Sequence, residues 1–104
     1  MSWVILIVSG LLEAVWATAL DRSEGFTRPL PVAVFLVASV ISVFGLGMAL
    51  KQIPVGTAYA VWTGIGAATT VAYAMATGAE AFTIIKLLLL LGLVSCVVGL
   101  KLVA

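Results

Sequence analysis

Residues 3–20 read WVILIVSGLLEAVWATAL, eighteen residues from Trp3 to Leu20 that contain one charge, Glu13. A helix needs about 20 mostly apolar residues to cross the hydrocarbon core of a bilayer. This stretch is therefore predicted to be a transmembrane helix, with Trp3 suited to the interface by its amphipathic ring. Outward from it the pattern repeats. The polar segment Asp21–Arg28 holds four charges, and Pro29 and Pro31 then permit a helix to begin, because proline is tolerated in a first turn. Further spans are predicted over 31–50, 55–77 and 83–102, separated by Lys51-Gln52-Ile53-Pro54 and by a loop around Glu80. The fold class is thus an all-α, multi-pass membrane protein of four helices in a single domain, 1–104.

Composition agrees. The chain is 64% hydrophobic and 9% charged, against about 25% charged residues in ordinary soluble domains. Nine charged side chains do not solubilise this much apolar surface, so lipid is the solvent. The net charge of +1 carries no basic patch, which argues against a nucleic-acid partner. There is no histidine, and no cluster or nucleotide loop points to a metal, a cofactor or an enzyme. The single cysteine, Cys96, sits in an apolar run and is expected to be a buried, inert thiol. Met1-Ser2-Trp3 lacks the basic region of a signal peptide, so the first helix is expected to be retained.

Glu13 is the residue that helix formation does not require. A charge at the bilayer centre costs about 2.5–3.5 kcal/mol on insertion scales. Every Lys and Arg lies in a loop or near a helix end, so no basic partner stands at its depth. Ser9, Gly10, Trp16 and Ala17 lie three or four residues away and share its face. Glu13 is therefore read as a proton- or cation-binding group beside a cavity. In the third helix Tyr59, Trp62, Thr63, Gly66, Thr69, Thr70 and Tyr73 share one side, while Gly56, Ala60, Gly64, Ala68, Ala72 and Ala76 recur every four residues and read as a packing stripe. Gly64 and Gly66 mark a candidate hinge. In the fourth helix Gly92, Ser95, Cys96 and Gly99 read as a seam for a second subunit, with Gly92 and Gly99 as its contact points.

Arg22, Arg28 and Lys86 fall on one side of the membrane and Lys51 and Lys101 on the other. Orientation follows a Lys/Arg excess, and three against two is close to none. Both orientations are then accessible, and two oppositely inserted copies would form an inverted-repeat dimer with both Glu13 carboxyls near the midplane.

The segments Gly10-Leu11-Leu12-Glu13-Ala14-Val15-Trp16-Ala17, Ser23-Glu24-Gly25-Phe26-Thr27-Arg28 and Pro54-Val55-Gly56-Thr57-Ala58-Tyr59-Ala60-Val61-Trp62-Thr63-Gly64-Ile65-Gly66 resemble the small multidrug resistance family over essentially the whole chain. Trp16, Ser42, Trp62-Thr63-Gly64 and Gly99-Leu100-Lys101 resemble its guanidinium-exporter subtype. The resemblance implies an antiparallel homodimer in the cell membrane that exchanges protons for guanidinium. It implies that Glu13 binds proton and substrate, that Ser42, Trp62, Trp16 and Tyr59 surround or hydrogen-bond it, and that Gly10 allows close packing in the same pocket. Two other readings are carried: the same fold exporting quaternary ammonium and other lipophilic cations, and a non-transporting subunit or heterodimer partner.

Overall fold

The computed structural model describes all residues, 1–104, as four α-helices and no strands. They are α1 (Ser2–Arg22), α2 (Pro29–Ala49), α3 (Val55–Ala76) and α4 (Ile84–Val103). The predicted ends fall within two residues of these. Helix α1 extends through Asp21-Arg22, and α2 begins at Pro29, where proline's fixed φ suits a first turn and its missing N–H is not needed. At about 1.5 Å per residue, 20 to 22 residues span roughly the 30 Å of a hydrocarbon core. Helices α1, α2 and α4 are long and apolar enough to cross a membrane. Helix α3 is as long but less apolar, because Thr57, Tyr59, Thr63, Thr69, Thr70 and Tyr73 interrupt it.

Helix α1 packs against α2 and α3, while α4 packs along α3. The small core gathers at the end that carries the 51–54 turn: Leu6, Ala49, Ile53, Ala58 and Val61, flanked by Trp3, Leu46, Val97 and Leu100. That end is fastened by Ser2 Oγ donating to Gln52 Oε1 at 2.7 Å and by the Lys101 ammonium 5.3 Å from the Trp3 ring centroid. At the opposite end Ser23, fully buried, donates to the Leu20 carbonyl oxygen at 2.7 Å and accepts from the Phe26 N–H at 3.1 Å. These bonds hold the 23–27 loop, in which Glu24, Gly25 and Phe26 all take positive φ.

The chain is a slab, 41 × 34 × 17 Å, in which α4 touches α3 alone, so the four helices do not close around an interior. Only 17 residues are buried and α4 contributes none, so most of each helix faces outward from the chain. Two expectations are corrected by the packing. Cys96 is exposed on the chain rather than buried, because α4 touches its neighbours along one narrow edge that Cys96 does not share. The every-fourth-residue row of α3 is not one packing stripe: Gly64 and Ala68 are buried, but Gly56, Ala60, Ala72 and Ala76 are not. Four residues turn a helix by about 400°, so such a row drifts roughly 40° per step and winds around the cylinder. The face that packs is Ala58, Val61, Ile65 and Ala68, at alternating spacings of three and four.

Candidate functional site

Glu13 lies in the middle of α1 and points onto α3. No side chain stands opposite it, since the facing residue is Gly66. A Cβ built on Gly66 would lie 2.5 Å from the Glu13 carboxyl carbon and 2.7 Å from each of its oxygens. One oxygen, Oε2, is fully buried and has no hydrogen-bond partner. A buried polar atom without a partner is costly and uncommon, and an ionisable side chain within a membrane span is a candidate functional site. The Gly66 carbonyl oxygen is occupied by Thr70 Oγ1, which donates to it at 2.6 Å.

The other predicted residues lie on α1 and on the two helices packed against it, α2 and α3. Gly10, one turn before Glu13, is buried where the helices meet; a Cβ there would stand 3.0 Å from Ile65 and 3.2 Å from the Trp62 carbonyl oxygen. Trp16, one turn after Glu13, stacks edge-on against Phe35 of α2 at 5.9 Å, and its indole Nε1 is buried without an acceptor. Phe35 in turn meets Phe26 of the first loop at 5.9 Å. Tyr59 is 56% exposed and lies tilted against Trp62 with ring centroids 6.0 Å apart. Ser42 is fully buried: its hydroxyl donates to the Ser9 carbonyl oxygen at 2.7 Å and accepts from Trp62 Nε1 at 3.2 Å. Within one chain, then, Ser42 and Trp62 bond to each other and to α1 rather than to the Glu13 carboxyl. Thr63 Oγ1 is a third buried polar atom with no partner.

Of the remaining predicted residues, Gly64 faces α4, where a Cβ would come within 2.7 Å of Val97, and α3 runs unbroken through both Gly64 and Gly66. Gly92 and Gly99 meet nothing within 4 Å in their own chain and lie on the uncovered part of α4. Sequence reasoning missed Phe35 and Gly45. A Cβ on Gly45 would collide with the Ser9 hydroxyl, so this glycine is what lets α2 approach α1 closely enough for the Ser42–Ser9 bond. Two glycines in Phe44-Gly45-Leu46-Gly47 were visible, but nothing in the string distinguishes Gly45 from Gly47, which meets nothing.

Two clefts flank these residues without including Glu13. The larger, about 450 Å³, is lined chiefly by Leu11, Ala14, Val15, Leu30 and Val34, with Arg22 as its one charged group. A basic group and no acid make it a poor seat for a cation. The second, about 270 Å³, lies at the loop end among Asp21, Arg22, Thr70, Tyr73, Thr77 and Glu80. No group of three or more acidic, Cys or His side chains is arranged to hold a metal ion.

Fold, apolar spans and an unpaired carboxyl at membrane depth define a multi-pass membrane protein of four helices. A family model described as Small Multidrug Resistance protein matches residues 1–94. Similar curated proteins are the guanidinium exporter of Proteus vulgaris, 46% identical over 98% of both chains, and that of Yersinia pseudotuberculosis, 45% identical over the same shares. The guanidinium exporter of Citrobacter freundii is 43% identical over 98% of this chain and 97% of its own. The chain belongs to the small multidrug resistance family.

Proposed function

We propose that the protein is a proton-coupled antiporter that exports guanidinium and small guanidinyl cations across the cell membrane as an antiparallel homodimer. The observation that carries the proposal is the Glu13 carboxyl, with one oxygen buried and unpartnered halfway along a transmembrane helix. Such a group needs either a proton or a cation, and the chain offers no Lys or Arg at that depth. Guanidinium is planar and its N–H groups match a carboxylate edge with two parallel bonds. A tetraalkylammonium has no N–H and gains nothing from hydrogen-bond acceptors. A buried carboxyl oxygen with no donor of its own favours the smaller hydrogen-bonding ion. The names of the relatives point the same way.

Protons and cation use the same carboxyls, so binding one expels the other. If the dimer changes its open side only when those carboxyls are occupied, competition becomes exchange, and a proton gradient drives the cation outward. A second copy supplies what one chain lacks. The slab is 17 Å thick, and the rings of Tyr59 and Tyr73 on α3 are exposed. Aromatic faces there add cation–π attraction of about 0.5–2 kcal/mol. The experiment is proton-coupled guanidinium uptake in liposomes. Glu13→Gln is expected to abolish uptake while the protein still extracts as a folded dimer. Uptake by Glu13→Gln at the wild-type rate would refute the proposal.

A further inference from the structure

The distances at Gly66 give an orientation as well as a clearance. A point 2.5 Å from the carboxyl carbon and 2.7 Å from both oxygens can only lie above the carboxyl plane. In-plane approach from the oxygen side would bring the oxygens nearer than the carbon. Approach from the side-chain side would leave them much farther. The Glu13 carboxyl therefore lies face-down on the α3 backbone at Gly66. Its lone pairs, which lie in its own plane, project along the α3 surface rather than into it. The Gly66 carbonyl is engaged by Thr70 and does not compete for the carboxyl's proton.

We infer that Gly66 is the positioning residue of the Glu13 site. Its missing side chain lets the carboxyl lie flat on α3, which directs the carboxyl edge along the helix surface instead of into it. A planar guanidinium that bonds both oxygens shares the plane of the carboxylate. A carboxyl held flat by the helix beneath it thus keeps its edge clear of α3 for a planar ion sliding in parallel to the helix, with the buried Oε2 the inner of the two acceptors. A methyl group at position 66 occupies the volume of the carboxyl itself and tips that edge away. Gly64, two residues earlier, faces instead the end of the Val97 side chain on α4, which can yield. The inference rests on Glu13 being the substrate carboxyl, and it assigns Gly66 a role distinct from bending α3.

The test compares Gly66→Ala with Gly64→Ala in the full chain, reconstituted for guanidinium transport, and adds a stability cycle in detergent. Gly66→Ala is expected to raise the KM for guanidinium at least tenfold with a smaller change in kcat, while Gly64→Ala leaves KM within twofold. Gly66→Ala is expected to lower the thermal midpoint of the otherwise unchanged protein but not that of Glu13→Ala, where the vacated space admits the methyl. A fall in kcat at unchanged KM, or an equal loss of midpoint in both backgrounds, overturns the inference. The stability cycle is readable even when Gly66→Ala transports nothing. If Glu13→Gln loses exchange while Gly66→Ala keeps its KM, the positioning role alone falls. If Glu13→Gln exchanges normally, the site reading falls and this inference with it.

Discussion

The Ser42 hydroxyl hydrogen-bonds the Ser9 carbonyl oxygen at 2.7 Å, reaching from α2 to the turn of α1 that precedes Glu13. In α-helical bonding the Ser9 carbonyl is also the acceptor for the Glu13 backbone N–H. Ser42 therefore touches the turn that carries the carboxyl without touching the carboxyl. Its oxygen also accepts the Trp62 indole proton, so a single hydroxyl joins α1, α2 and α3 at the depth of the site. Ser42→Ala removes both bonds and leaves the Trp62 N–H unpaired. Interhelical hydrogen bonds in membranes contribute about 0.6 kcal/mol each on average and up to about 1.7. The expected loss is about 1–3 kcal/mol in a denaturant titration of the purified protein, with weaker guanidinium binding by calorimetry. Ser42→Thr keeps the hydroxyl and should recover most of the stability.

The uncovered face of α4 gives a prediction about assembly. Gly92 and Gly99 meet nothing within 4 Å in their own chain. A Cβ at either position is free of contacts within one chain. If α4 meets a second copy there, Gly92→Leu with Gly99→Leu should yield monomers by cross-linking in membranes and no transport, while circular dichroism retains full helicity. Dimers at the unaltered level would remove these glycines from the interface.

Orientation follows from the charges at the two ends. Arg22, Arg28 and Lys86 lie at the loop end with Glu80, and Lys51 and Lys101 at the other. Lys86 is held 3.4 Å from Glu80, with both side chains more than a third exposed, so the pair adds little to stability. Glu80→Lys makes the tally four against two and should fix one orientation, as read by C-terminal reporter fusions. Alone it should lose most transport. Co-expression with a chain carrying Arg22→Ala and Arg28→Ala, biased the opposite way, should restore it. Full activity from a chain shown to insert in one direction would argue against an antiparallel pair.

The four helices were legible because each depends on local information: an apolar run of about membrane length bounded by charges or prolines. Glu13 was legible for the same reason, as a charge that lipid does not tolerate without cause. Gly10, Ser42 and Trp62 could be singled out, but not the bonds they make. Those depend on how far α2 is rotated about its axis relative to α1, which no spacing within either helix determines. Gly66 was marked as a hinge on its helix-weakening character, whereas its measurable feature is what lies against it. The α3 stripe failed on arithmetic, since a four-residue repeat drifts around a 3.6-residue helix. Cys96 was judged by its apolar neighbours in sequence, and in a membrane protein an apolar run faces outward as readily as inward. The 23–27 loop was invisible, because only Gly25 of its three positive-φ residues advertises that conformation.

The central claim is that one carboxyl per chain serves proton and cation in turn. Competition gives the sign of its pH dependence: as pH falls, protons occupy Glu13 and the apparent guanidinium affinity weakens, by up to about tenfold per pH unit for each proton displaced. The most direct measurement adds guanidinium to purified protein in weakly buffered detergent solution and follows the pH. Release of protons is expected from the protein as it stands and none from Glu13→Gln. Binding of guanidinium with no proton release at any starting pH would contradict the account.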